Sequence, residues 1–308
     1  MRKIVVVGSI SIDNTVYTKV MPSPGTTSIA DSYISNVGGK GANQACAALF
    51  LGADVTFIGA VGKDDNGNRV KSFLKENKLD ARLKESNKPT GVAFITINKE
   101  NAENQILIVT GANEDLTKED IDKNEDLFVK DNILLLQFEN DMKTVEYVIR
   151  KGKEAGMFVV VNPAPYKELN KELYQFIDIL VPNEHELELL SHKDNLKEGI
   201  EELHRRGAKN IIVTLGENGS LYDGENGSFR ISPHKVDAID TTAAGDSYLG
   251  ALVYKLSFDS SIKDAMECAS YCSSLTVTKK GAIIALPHKS DVTSSPTYRR
   301  RGLPTQEI

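Results

Sequence analysis

Hydrophobic positions along this 308-residue chain follow two rhythms. Short runs without alternation, at 3–8, 55–59, 132–137, 157–161, 177–181 and 210–215, are rich in Val, Ile and Leu. Strands covered on both faces read this way. Between them, 66–76, 143–155 and 195–206 carry apolar residues at helical spacing, as do 249–256 and 262–277 further on. This alternation predicts βαβ units, hence a mostly parallel sheet with helices on both faces. Two regions break the rhythm. Residues 14–37 hold Pro22, Pro24 and Gly25, with polar alternation over 27–34 that predicts a short strand. Residues 92–97 and 105–110 predict a strand pair around the turn-rich 98–104. Neither region carries a good helix, so together they predict a small second sheet. From 290 onward the Ser, Thr, Pro and Arg content predicts a disordered tail.

Charge and cysteine content narrow the function classes. Net charge is −6 without a long run of one sign. A nucleic-acid footprint wants a basic face, which is missing, and an anionic membrane surface is disfavoured for the same reason. No apolar run approaches the roughly 20 residues of a membrane span. The opening Met1-Arg2-Lys3 and the apolar run after it look superficially like a leader, but the run is short and Asp13 interrupts it. Three cysteines, Cys46, Cys268 and Cys272, are an odd count and no disulfide framework. Cys268 and Cys272 share a helical face, yet no His or third Cys joins them, so buried small residues are expected there rather than a metal. The expectation is a soluble protein of a reducing, cytoplasmic compartment.

Polar residues cluster where the strands stop. Gly8-Ser9-Ile10-Ser11 lacks the later glycines of a dinucleotide fingerprint. Asp13 follows just beyond, where open α/β sheets place ligand groups. Gly38-Gly39-Lys40-Gly41-Ala42-Asn43-Gln44-Ala45 opens a helix reaching about residue 51. It is not a P-loop, since Gly41 stands where that motif needs Ser or Thr. Lys40 and Asn43, three apart, could present an ammonium and an amide to one polar ligand; a flexible glycine-rich turn is the plainer reading. Further strand ends carry Gln137-Phe138-Glu139, Asn162-Pro163-Ala164-Pro165, Pro182-Asn183-Glu184-His185-Glu186 and Thr214-Leu215-Gly216. Each alone reads as a cap or turn, but four at successive strand ends point to one crevice. Asn183 and Glu186 suit a water-ligated Mg²⁺ with its phosphates, and equally a capping box; both can hold together.

The most informative stretch is Ile239-Asp240-Thr241-Thr242-Ala243-Ala244-Gly245-Asp246-Ser247-Tyr248. Ala243, Ala244 and Gly245 have almost no side chain, so their N–H groups at a helix start can receive an anion. A carboxylate beside an anion site repels the anion. Asp246 makes sense there if it takes a proton from a hydroxyl that attacks phosphorus. The bland alternative is an acidic residue in a helix first turn.

With these motifs in place, the chain resembles the ribokinase branch of the ribokinase-like carbohydrate kinases. The resemblance covers about residues 3–287 and rests on Gly8-Ser9-Ile10 with Asp13, Pro24-Gly25, the run at 38–45, Asn162-Pro163-Ala164-Pro165, Pro182-Asn183-Glu184 with Glu186, Thr214-Leu215-Gly216, and Asp240-Thr241 with Ala243-Ala244-Gly245-Asp246. The last motif is specific to the family. The resemblance implies a three-layer α/β sandwich with a central mostly parallel sheet and a small β-sheet lid. The core would be 1–9, 38–88 and 113–289, the lid 10–37 and 89–112, and the tail 290–308. It implies transfer of the ATP γ-phosphate to the 5-hydroxyl of ribose, with Asp246 as base and the amides of Ala243, Ala244 and Gly245 as anion hole. Ser11, Asp13, Gly39, Lys40, Asn43 and Glu139 would bind the sugar together with Asp246. Asn183, Glu186, Thr214, Gly216, Gly219, Gly245 and Ser270 would serve ATP and its Mg²⁺. Asp240, Thr242, Thr276, Lys279, Gly281 and Ala285 would hold an activating K⁺, mainly through carbonyls. The chain departs from the family in carrying Ser11 where many members have Asn, Ala285 where a Ser is common, and the tail where a C-terminal helix is usual. A kinase for 2-deoxyribose, a nucleoside or another furanose is the first alternative; a non-catalytic sugar-binding regulator is the second. Unpaired lid edges suggest a homodimer formed through the lid.

Overall fold

The computed structural model describes residues 1–100 and 104–294. In chain order the elements are β1 (Ile4–Val7), β2 (Ser11–Thr18), β3 (Ser32–Gly38), α1 (Lys40–Phe50), β4 (Val55–Gly62), α2 (Asp65–Glu76), β5 (Asp80–Ser86), β6 (Gly91–Asn98), β7 (Asn104–Val109), α3 (Lys118–Asp122), β8 (Ile133–Leu136), α4 (Met142–Glu154), β9 (Phe158–Val161), β10 (Ile179–Leu180), α5 (Glu184–Ser191), α6 (Leu196–Arg205), β11 (Ile211–Thr214), β12 (Ser220–Gly224), β13 (Gly227–Ile231), α7 (Ala244–Leu256), α8 (Ile262–Thr276) and α9 (Lys289–Thr293).

Nine strands form the larger sheet, ordered β13-β12-β11-β10-β9-β8-β1-β4-β5. Pairing is parallel from β11 to β5, and the β12–β13 hairpin closes one edge antiparallel. Strand β1 shows why its sequence does not alternate. Ile4 and Val6 pack with α1, α2, α7 and α8, whereas Val5 and Val7 pack with α3, α4, α5 and α6. Both faces are dry, so every position is apolar. These are the three layers that the resemblance implies.

The second sheet has four strands, ordered β3-β2-β6-β7, with β2–β6 parallel and the other pairs antiparallel. Here the strand expected at 27–34 is displaced: β3 runs over Ser32–Gly38, and 27–31 lie in no strand. Strand β2 was hidden from the hydrophobic pattern because polar residues interrupt both of its faces, Asn14 standing between Ile12 and Val16 on one of them. Asp13, Thr15 and Tyr17 line one cleft, while Asn14 accepts hydrogen bonds from Tyr33 and Ser35. Strand β5 and the β12–β13 hairpin also escaped the pattern, being short or charged edge segments. The expected tail begins instead with the short helix α9, and 295–308 lie outside the described residues.

Two close approaches seat α1 against the sheet and α7. A Cβ on Gly41 would stand 2.7 Å from the backbone of Gly8, and one on Gly8 would stand 2.8 Å from Gly41 Cα. A Cβ on Gly250 would stand 2.3 Å from Ala47 Cβ. The Ala42 N–H donates to Ser9 O at 3.0 Å across the first contact. We predict that Gly41→Ala destabilises the fold by about 1–3 kcal/mol, because backbone cannot yield as a flexible side chain would. The intrinsic helix gain of Ala over Gly, about 1 kcal/mol, works the other way. Denaturant unfolding that shows a more stable variant would refute the contact.

Candidate active site

A cavity of about 280 Å³ lies where the C-terminal end of β1, the N-termini of α1 and α7 and the small sheet meet. Ser9, Ser11, Asp13, Gly39, Lys40, Asn43, Glu139, Ala243 and Asp246 line it on the polar side, and Ala93, Ile95, Ile106 and Ile108 on the apolar side. Sequence reasoning on the sugar-binding candidates and Asp246 thus named residues that the fold brings together from four chain segments.

Asp246 is 7% exposed. Its Oδ2 accepts from Asn43 Nδ2 at 2.8 Å and its Oδ1 from Gln44 Nε2 at 2.9 Å. Both donors belong to α1, so the close α1–α7 packing is what orients the carboxylate. Asn43 Oδ1 is buried and has no protein partner, which leaves an acceptor at the cavity wall. Ahead of Asp246 the backbone turns sharply: Ala243 has φ 59°, a left-handed conformation costly for a residue with a Cβ. The Ala244 N–H donates to Thr241 O at 3.2 Å. Nothing stands within 4 Å of a Cβ placed on Gly245, so packing does not require glycine there.

Acidic groups crowd the other wall. Glu139 Oε2 accepts from Ser9 Oγ and, at 3.1 Å, from the Lys40 N–H. Ser11 Oγ donates to Asp13 Oδ1 at 2.7 Å. Burial pushes the Asp13 carboxyl up to about 6, with Glu139 and Asp246 adding to the rise while the Ser11 hydrogen bond and Lys40 oppose it. Burial pulls the Lys40 ammonium down, but Asp246, Glu139, Glu186 and Asp13 outweigh it and raise its pKa overall. Lys40 therefore stays charged at neutral pH, a cation in the field of four carboxylates.

Asn183, Glu186, Thr214, Gly216, Gly219 and Ser270 do not line this cavity; the first five stand around the neighbouring strand ends, and Ser270 lies within α8. Asn183 and Glu186 form a capping box on α5, with bonds of 2.8 and 2.9 Å, and Asn183 bridges to Thr214. Burial raises the Glu186 carboxyl, partly offset by the Asn183 N–H. Among the described residues no group of three or more His, Cys, Asp or Glu is placed to hold a metal. Asp240 ties two loops together, Oδ1 accepting from Thr242 N and Oδ2 from Gly281 N, both at 2.9 Å. Thr276 is buried, its Oγ1 donating to Cys272 O at 3.0 Å and lying within hydrogen-bond distance, 2.8 Å, of Ser247 Oγ. Ala285 is fully buried. The oxygen-rich 240–242 and 276–281 loops suit a hard monovalent cation.

Sequence reasoning missed several partners. Gln44, Gln137 and Asn162 form a buried amide chain behind Asp246. Asn113 clamps Ile10 through both its amide atoms, at 3.0 and 2.9 Å, where the chain crosses between sheets. The 137–139 and 162–165 strand ends were visible; their mutual pairing carries no local signal. Cys46, Cys268 and Cys272 are buried, as expected. Among the described residues no helix is long and apolar enough to cross a membrane.

The sequence matches the profile described as pfkB family carbohydrate kinase over residues 1–289. A ribokinase of Staphylococcus aureus is 36% identical over 300 residues, covering 94% of this chain and 98% of that protein. A deoxyribokinase of Salmonella typhimurium is 35% identical over 292 residues, covering 92% and 95% respectively. The structure of Arabidopsis thaliana ribokinase complexed with ribose and ATP is similar at a TM-score of 0.84 and 29% identity, covering 95% of this chain and 98% of that one.

The rise of Asp13 from an ordinary 3.8 to about 6 has a stability consequence. The folded state holds the proton more tightly, so the unliganded protein loses stability as pH rises from near 4 through about 6. Asp13→Asn should therefore be the more stable protein at pH 7.5, by at most about 3 kcal/mol. The difference should shrink as pH falls towards 4. Parallel thermal melts in which the two proteins differ by the same amount at every pH would contradict this.

Proposed function

This chain belongs to the pfkB family of carbohydrate kinases, and from that membership we propose that it transfers the γ-phosphate of ATP to the 5-hydroxyl of D-ribose, giving ribose 5-phosphate. The observation that carries the reading is Asp246: a buried carboxylate, held by two neutral amides at the start of α7, inside a cavity whose other polar groups suit a polyol. Asp13, Lys40, Asn43, Glu139 and the Gly39 backbone would take the sugar hydroxyls, since ionised and amide partners bind hydroxyls strongly. The apolar wall of Ala93, Ile95 and Ile106 would cover the C–H face.

In this reading Asp246 takes the hydroxyl proton as the phosphoryl group moves, while the amides of Ala243 and Gly245, and that of Ala244 shared with the Thr241 carbonyl, would face the developing charge. Positioning supplies most of the rate. ATP would lie along Thr214, Gly216, Gly219 and Ser270, with Asn183 and Glu186 reaching its Mg²⁺ through water. Mg²⁺ would supply neutralisation of phosphate charge. K⁺, held by Asp240 and carbonyls of Thr242, Thr276, Lys279, Gly281 and Ala285, would steady the turn that presents the anion hole. Domain division follows the same reading, with 10–37 and 89–112 as a lid on a core of 1–9, 38–88 and 113–289. Tyr33, Phe94 and Leu107 of the small sheet are more than half exposed, which supports a homodimer through that sheet. Light scattering that gives a monomer mass at assay concentration would count against the dimer.

One observation favours 2-deoxyribose as a second reading. The Ser11 hydroxyl is spent on Asp13, so fewer groups remain for a 2-hydroxyl. ADP release measured with ribose, 2-deoxyribose, fructose and adenosine, each in K⁺ and in Na⁺, separates the readings. The proposal expects ribose to be preferred and K⁺ to accelerate turnover; preference for 2-deoxyribose would move the specificity, and silence on all four would overturn the proposal. Gly245→Ala gives a further test. Its Cβ meets no protein atom, so thermal stability should hold or rise by up to about 1 kcal/mol, while kcat falls about ten-fold or more because the new methyl intrudes on the anion. Unchanged turnover would remove Gly245 from the anion site.

A further inference from the structure

Resting on the reading of Asp246 as the base, the geometry points to Gln44 as its positioning residue, fixed in turn by a directional chain of buried amides that ends at Gln137. Gln44, Gln137 and Asn162 are all buried, two of them fully. Gln44 Nε2 donates to Asp246 Oδ1 at 2.9 Å and to Asn162 Oδ1 at 3.1 Å. Gln44 Oε1 accepts from Gln137 Nε2 at 2.7 Å, and Asn162 Nδ2 donates to Val181 O at 3.0 Å.

The direction of this chain is dictated by charge. An ionised carboxylate only accepts hydrogen bonds, so Gln44 must turn its NH₂ towards Asp246. Its oxygen then faces Gln137, which must turn its own NH₂ inward. Gln137 Oε1 is left buried with no hydrogen-bond partner, pressed against Gly8, where a Cβ would stand 2.1 Å from it. An unpartnered buried acceptor is costly and persists only if something stronger fixes the amide. The carboxylate two side chains away is that something. It also gives Gly8 a role: a side chain there would displace Gln137. Neutral donors thus hold the ionised base in one rotamer, while its remaining lone pairs stay open to the sugar hydroxyl.

The test uses the full chain, with kcat and both KM values measured for Gln44→Met, Gln137→Glu and, as reference, Asp246→Asn. Gln44→Met keeps the volume and removes the amide. Its kcat should fall about ten- to a hundred-fold, the loss expected for one hydrogen bond to a charged group, with both KM values within about three-fold of the parent. Gln137→Glu keeps the shape and carries the test even if the first variant does not fold. At pH 8 its carboxylate opposes Gln44 Oε1, turning that oxygen towards Asp246, and kcat should drop. As pH falls, protonated Glu donates to Gln44 again, so the ratio of variant to parental kcat should recover. Lys40, Asp13, Glu139 and Asp246 are common to both proteins, so the ratio isolates position 137. Both variants turning over like the parent while Asp246→Asn is inactive would overturn the positioning role, as would a Gln137→Glu loss that ignores pH. Near-parental turnover by Asp246→Asn would remove the base assignment itself, and the amide chain's role with it.

Discussion

One interaction organises the rest: the carboxylate of Asp246 held in a buried place by amides rather than by a cation. Removing a charge from water is expensive unless hydrogen bonds replace the lost hydration. Asn43 and Gln44 supply those bonds, and both stand on α1. The helix must therefore come very close to α7 and to the end of β1. Gly8, Gly41 and Gly250 permit that approach because no side chain intervenes. Packing and chemistry are here one constraint, since any spacer between these backbones would pull the donors from the base.

The electrostatics of the cavity follow from the same arrangement. Lys40 sits at the start of α1, within the field of Asp13, Glu139, Glu186 and Asp246, and its charge is reinforced despite burial. Asp13 is buried and lies near the Glu139 and Asp246 carboxylates, so its pKa is pushed up to about 6 although the Ser11 hydroxyl donates to it. The unliganded site is thus strained towards a ligand that brings hydroxyl donors. Stability given up at a binding site is common where function needs unsatisfied polar groups.

Much of this was legible in the sequence. The unalternating Val and Ile runs gave the central sheet, because a strand buried on both faces must be apolar throughout. Lys40, Asn43, Glu139 and Asp246 were legible because small residues or strand ends flank them. Strand β2 was not, since Asp13, Thr15 and Tyr17 face a cleft and Asn14 interrupts Ile12 and Val16 on the other face. The amide chain from Gln137 to Asp246 was equally hidden. It joins positions 93 and 202 residues apart, and a glutamine in isolation looks the same whether it is solvated or aimed at a base.

The most direct test of the central claim is Asp246→Asn, with sugar and nucleotide binding followed by calorimetry and phosphoryl transfer followed in single turnovers. The account predicts both ligands bound with near-parental affinity and transfer slowed about 10²–10⁴-fold, the usual loss when a general base is removed. Transfer at the parental rate, or loss of binding and transfer together, would contradict a base held ready by amides.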